Sequence, residues 1–101
     1  MIKHIVLLKF KKDSSQQKID AVFKAIEDLR KTIPEIQSFA CGAYNSPEGL
    51  NRDYSHGFIM EFRNAAERDK YLVHPEHVRV ASDIVMPAVT DGINSALAFD
   101  F

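Results

Sequence analysis

Two imidazoles and a phenol fall within one short segment, Tyr71-Leu72-Val73-His74-Pro75-Glu76-His77-Val78. Histidine is the side chain whose ordinary pKa lies nearest neutrality, so it can take or give a proton near pH 7. Pro75 disfavours helical backbone at His74 and suits the first position of a helix. The segment therefore predicts a helix break with His74 as the cap and His77 in the first turn of the next helix. A helix start carries partial positive charge and disfavours imidazolium. That tends to keep His77 neutral and available as a general base, while the neighbouring Glu76 works against it. Tyr71, on the preceding helix, offers a phenolic donor. A packing role is open to each: histidines at a helix start, and a tyrosine in a core.

His4 lies among apolar residues, on the same strand face as Val6 and Leu8. A buried imidazole must be paired or must open onto a cavity, so His4 joins Tyr71 and His77 as a candidate for one shared site. His56 falls about four residues away along the neighbouring strand, ~13 Å at 3.3 Å per residue, and is expected outside that site. Metal binding has little support, because the Pro75 break spoils an i,i+3 pair of His74 and His77 and no carboxylate completes a known ligand pattern. The single cysteine, Cys41, rules out an internal disulfide or a cysteine-based zinc cluster. On a strand without a basic neighbour it reads as a small buried hydrophobe rather than a nucleophile. No phosphate-binding or nucleophile-elbow motif occurs.

Periodicity gives the secondary structure around these groups. Residues 2–10 are rich in β-formers, with His4, Val6, Leu8 and Phe10 on one face and Ile5 and Leu7 on the other. Asp13-Ser14-Ser15 supplies caps for a helix to about Ile33, whose apolar stripe includes Phe23 and Ile26. Residues 36–45 read as a second strand. Residues 54–62 form the clearest one, in which Tyr54, His56, Phe58, Met60 and Phe62 alternate with Ser55, Gly57, Ile59 and Glu61. Asn64 and Glu67 stand in capping-box spacing at the start of a helix to about Val73. A further helix runs from Pro75 towards Met86 and ends near Pro87, and residues 93–101 form a closing strand. The order β-α-β-β-α-β predicts a ferredoxin-like α+β fold, a four-stranded antiparallel sheet with helices on one face and strand 1 between strands 3 and 4.

At 101 residues the chain is expected to form a single domain over 1–101. Its 46% hydrophobic and 27% charged residues are ordinary globular composition. A net charge of −1 gives no basic stripe for nucleic acid. With a single cysteine, a reduced, cytoplasmic setting is expected, and the apolar run after Met1 is too short to span a membrane and lacks a cleavage signal. Helices can cover only one face of such a sheet, yet both faces of strand 1 carry large aliphatics and Ile59 adds to the second. A second copy of the chain is the economical cover, giving a two-fold homodimer through the sheet face.

Met1–Phe10, Ile33–Ile36, Tyr54–Phe58, Tyr71–Val78 and the closing Phe99-Asp100-Phe101 together resemble the stress-responsive A/B barrel (Dabb) family over essentially the whole chain. The resemblance implies a dimeric α+β barrel formed through the sheets. Members without assigned activity and stress-associated plant members occur in that family. It also contains a polyketide cyclase, which performs an intramolecular aldol condensation with neither metal nor organic cofactor. The cyclase's catalytic histidine and tyrosine match His77 and Tyr71, and its first-strand pocket histidine matches His4; His56 and His74 also occupy matching positions. Its pocket tyrosine on the first helix is Ile26 here. The expectation is a homodimeric protein holding a small, largely apolar molecule between sheet and helices. His4, Val6, Leu8, Phe23 and Ile26 would line that pocket, and His77 and Tyr71 would assist proton transfer without a cofactor. The alternative is a stress-associated or structural dimer in which these residues only pack.

Overall fold

A computed structural model describes residues 1–101. In chain order it contains β1 (Ile2–Leu8), α1 (Gln16–Glu27), β2 (Ser38–Ala43), β3 (His56–Phe62), α2 (Ala65–Val73), α3 (Pro75–Val80) and β4 (Ala96–Asp100). α3 continues through a wider π-type turn at Ala81–Val85 and a last helical turn at Met86–Ala88. The helix thus ends near Pro87, as its sequence suggests, with the proline inside the last turn. The first helix is shorter as an α-helix than its periodicity suggests. It tightens into a 3₁₀ turn at Asp28–Lys31, as helix ends often do, ahead of Pro34.

The capping chemistry is visible atom by atom. Ser15 Oγ accepts from the Lys18 amide at 3.2 Å, and Asn64 Oδ1 accepts from the Glu67 amide at 2.9 Å. His74 has extended backbone and its Nδ1 accepts from the Glu76 amide at 3.1 Å. Each cap satisfies a donor that the first helical turn leaves free.

The sheet order is β2-β3-β1-β4, with all neighbours antiparallel. This is the ferredoxin-like α+β arrangement, with β1 between β3 and β4. β1 pairs His4 with Met60 on one side and with Asp100 on the other. Ile19, Val22, Phe23 and Ile26 of α1 are buried against the sheet, as are Leu8, Met60 and Phe62.

Strand β4 divides its side chains by size. Ala96, Ala98 and Asp100 share the face of Leu8, Val6 and His4, towards the helices, while Leu97 and Phe99 lie opposite Leu7 and Ile5 on the other face. The inward alanines leave room beneath the helices. The outward side chains leave the second face apolar, with Leu97 and Phe99 41% and 63% exposed. No helix is long and apolar enough to cross a membrane.

The Asn64 cap is a direct test of how α2 starts. Asn64→Ala should cost about 1 kcal/mol, lowering the melting temperature by roughly 4–8 °C for a chain of this size. Asn64→Ser should recover most of that loss in thermal melts monitored by circular dichroism.

Candidate active site

Between the helix-facing side of the sheet and the helical layer lies a cavity of about 300 Å³. Its walls are almost wholly aliphatic and aromatic, with Val6, Leu8 and Ile26 among them and Ala96 and Ala98 forming part of the floor. The polar groups His4, Tyr71 and His77 also line it. Three separate elements bring them together: β1 carries His4, α2 carries Tyr71 and α3 carries His77.

The break at His74 is what turns His77 back towards Tyr71. The Tyr71 and His77 rings stand 4.2 Å apart between centroids, and the His4 and Tyr71 rings 5.8 Å apart. The Nδ1–H of His77 donates to the Leu72 carbonyl at 3.1 Å, which leaves Nε2 as the acceptor of the neutral ring. The Nδ1–H of His4 donates to Asp100 Oδ1 at 2.7 Å, and Arg68 Nη1 donates to Asp100 Oδ2 at 2.8 Å.

Within the chain His4 Nε2 and the Tyr71 hydroxyl form no hydrogen bond, yet no fully enclosed side-chain nitrogen or oxygen lacks a partner. His4 and Tyr71 are 5% and 1% exposed. Their free polar atoms therefore reach open space, and the space that both residues border is the cavity. A polar atom held this way costs free energy unless something inside the cavity pairs with it.

The protonation preferences come from the surroundings. Burial pushes the His77 imidazole below its ordinary pKa, and nearby His4 and His74 act in the same direction, against the opposing bond to Leu72. Burial, more than the helix start, is therefore the main reason His77 favours the neutral form. Burial also pushes the Tyr71 phenol well above its usual range, so it remains a donor at neutral pH.

Of the residues expected to line the pocket, His4, Val6, Leu8 and Ile26 do so. Phe23 does not. Its ring packs against Phe10 at 5.6 Å and His56 at 6.0 Å, because one helical turn earlier on α1 faces the other end of the sheet. His56 stays away from the cavity, its Nδ1 paired with Ser55 Oγ at 2.9 Å. Sequence reasoning misses Asp100 and Arg68. The signal for Asp100 is its inward parity on β4, legible only once the register against β1 is known. Cys41 is exposed rather than buried. No three His, Cys, Asp or Glu side chains converge in a way that holds a metal ion.

Residues 2–101 match the family model described as Stress responsive A/B Barrel Domain. The chain belongs to this family. The Arabidopsis thaliana stress-response A/B barrel domain-containing protein At5g22580 is 32% identical to this Dabb chain, over 98% of the chain and 83% of that protein. Olivetolic acid cyclase from Cannabis sativa is 26% identical over 76% of each chain. Among solved structures, a dimeric protein of unknown function and ferredoxin-like fold from Bacteroides fragilis superposes with a TM-score of 0.70. It is 25% identical, and the match covers 99% of this chain and 93% of that one.

The lowered His77 value has a testable sign. In the unfolded chain the imidazole titrates near its ordinary 6.5, whereas in the fold it titrates below that. The unfolded state therefore binds more protons between the two values, and stability falls as pH drops through that window. His56, lowered by burial, adds to the same trend. Stability should hold above about pH 6.5, decline towards the lowered value and level off beneath it. Urea melts across this range should show the decline, and His77→Gln should reduce its slope. A His77 midpoint by NMR at or above the ordinary value would contradict the burial argument.

Proposed function

We propose that the cavity binds a small, largely apolar carbonyl compound and supports cofactor-independent proton transfer of the kind that opens an aldol-type cyclisation. The observation that carries this reading is the cluster of unpaired polar groups lining an otherwise apolar cavity. A neutral imidazole at His77 presents Nε2 as a lone pair, suited to take a proton from carbon next to a carbonyl. The Tyr71 phenol stays protonated and can donate to the oxygen on which charge develops. The aliphatic walls would hold the non-reacting part of the ligand, as is usual in small-molecule sites. The match to olivetolic acid cyclase supports this direction, although Ile26 stands where the resemblance implies a pocket tyrosine. The second reading is a non-catalytic, stress-associated or structural dimer. The close packing of the Tyr71 and His77 rings favours it.

A protein whose sheet has one covered and one apolar face also needs a second layer. We infer that this Dabb chain forms a two-fold dimer through the face bearing Ile5, Leu7, Ile59, Leu97 and Phe99. The Bacteroides fragilis protein, described as dimeric, supports that inference.

The variants His77→Ala and Tyr71→Phe separate the two functional readings. With a linear triketone as substrate, loss of the base should lower turnover by roughly 10²–10⁴-fold, and loss of the phenolic donor by about 10²–10³-fold. Both variants should melt within a few degrees of the parent. If the parent turns over no poly-ketone and His77→Ala melts far lower, the imidazole is a packing and capping residue.

The dimer has its own measurement. Light scattering after size exclusion should report about twice the 11.5 kDa chain mass at micromolar concentration. Placing Glu at both Ile5 and Leu7 should yield monomer or unfolded chain, since uncompensated charge would lie in an apolar interface.

A further inference from the structure

We propose that Asp100 and Arg68 are positioning residues that lock His4 into its Nδ1–H form and so present a second acceptor, His4 Nε2, to the cavity beside Tyr71 and His77. The proposal rests on the functional reading above for its purpose, but its geometry stands alone. Lys3 and Phe101 exchange both backbone hydrogen bonds, at 2.7 and 3.0 Å. The next pair along, His4 and Asp100, is therefore a non-hydrogen-bonded pair, in which antiparallel side chains stand closest. The carboxylate of Asp100 can only accept when ionised, so the 2.7 Å contact places the proton on His4 Nδ1.

The other carboxylate oxygen is held from a third element. Arg68 on α2 donates to Asp100 Oδ2 at 2.8 Å, and its Nε donates to Asp69 Oδ1 at 2.9 Å. Arg68 and Asp100 side chains are each 21% exposed, while that of His4 is 7% exposed. The three groups form a continuous line from the surface to the cavity. A guanidinium that grips a carboxylate on one oxygen restricts the direction of the other, and an orienting partner on one ring nitrogen decides the state of the second. With His77 Nε2 also an acceptor, the polar cluster then offers two lone pairs and one phenolic donor. That set fits a ligand carrying both a carbonyl oxygen and an acidic C–H or O–H, such as an enolisable ketone or its enol.

Side-chain ¹⁵N NMR on the full-length protein, at a pH where the histidines are neutral, reads the His4 tautomer directly. The parent should show His4 protonated at Nδ1, with a slowly exchanging proton. Asp100→Asn offers an amide that can donate as well as accept, so His4 should shift towards the Nε2–H form. Arg68→Ala should leave the Nδ1–H in place but speed its exchange at least severalfold, and Arg68→Lys should restore most of the protection. Thermal melts of the same variants show whether each remains folded. A parent His4 in the Nε2–H form would overturn the proposal. So would folded Asp100→Asn and Arg68→Ala proteins whose His4 signals match the parent.

A second measurement tracks α-hydrogen exchange of heptan-2-one in D₂O. The parent should accelerate it, Arg68→Ala should lose several-fold of that rate, and Arg68→Lys should recover it. A parent that gives no acceleration defeats the proton-transfer reading, while the tautomer experiment still decides the positioning of His4.

Discussion

Burying an imidazole on the central strand of a sheet is unfavourable unless its ring nitrogens are satisfied, and much of this molecule is arranged around that demand at His4. One nitrogen is met from β4, where the antiparallel register sets Asp100 directly across from it. The carboxylate in turn needs its own compensation at a partly buried position, and α2 supplies it through Arg68. One polar contact therefore ties together β1, β4 and α2. The second ring nitrogen has no partner in the chain, which is where structure passes into chemistry. Phe58, Phe62 and Tyr71 surround the ring edge-on at 5.8–6.3 Å between centroids, leaving it little freedom to turn away.

The cavity exists because small residues sit where large ones would have filled it. Ala96 and Ala98 face inward on β4, and Ala81 does so at the π-type turn after α3. A single widened turn displaces the side chains beyond it relative to a regular helix, and such turns recur at functional sites. The same strand that gives up volume inside gains it outside, since Leu97 and Phe99 occupy the alternate positions. The period of two along a strand thus couples two properties with no other connection, an open space under the helices and an apolar outer face. A one-residue slip of β4 would push Leu97 and Phe99 into the cavity and carry Asp100 away from His4. The register is accordingly held hard at both ends, by the Lys3–Phe101 exchange and by the Lys9 amide donating to the Ser95 carbonyl at 3.0 Å.

Local signals in the sequence suffice wherever structure is determined locally. The alternation at residues 56–62, the caps at Ser15 and Asn64, and the Pro75 break with His74 in the capping role all depend on neighbours within four residues. The convergence of His4, Tyr71 and His77 is legible because the β-α-β-β-α-β order fixes which face of β1 meets the helices. The illegible part depends on distant pairing or on exact helix rotation. Asp100 lies 96 residues from His4, and no local pattern records that they are partners. Phe23 and Ile26 share one apolar stripe, yet the stripe is wider than the cavity: Ile26 reaches it, while Phe23 meets Phe10 and His56. The helix start points to a neutral His77, whereas the larger cause is burial against Tyr71 and the cavity wall.

The distribution of polarity inside the cavity constrains what it can hold. His4, Tyr71 and His77 cluster together, and the remaining side chains of the lining, including Ile26 and Leu29 from the α1 side, offer no hydrogen bond. A ligand with polar groups at both ends would leave one of them unpaired against aliphatic carbon, at a cost of about 1–3 kcal/mol. A ligand with one polar end and an alkyl or aryl tail would meet no such penalty and would enter in a single orientation. Isoleucine at position 26 keeps the α1 side of the lining free of hydrogen-bonding side chains. Under the proposed function, a compact polar head would pair with these three groups while its apolar tail lies against the aliphatic lining.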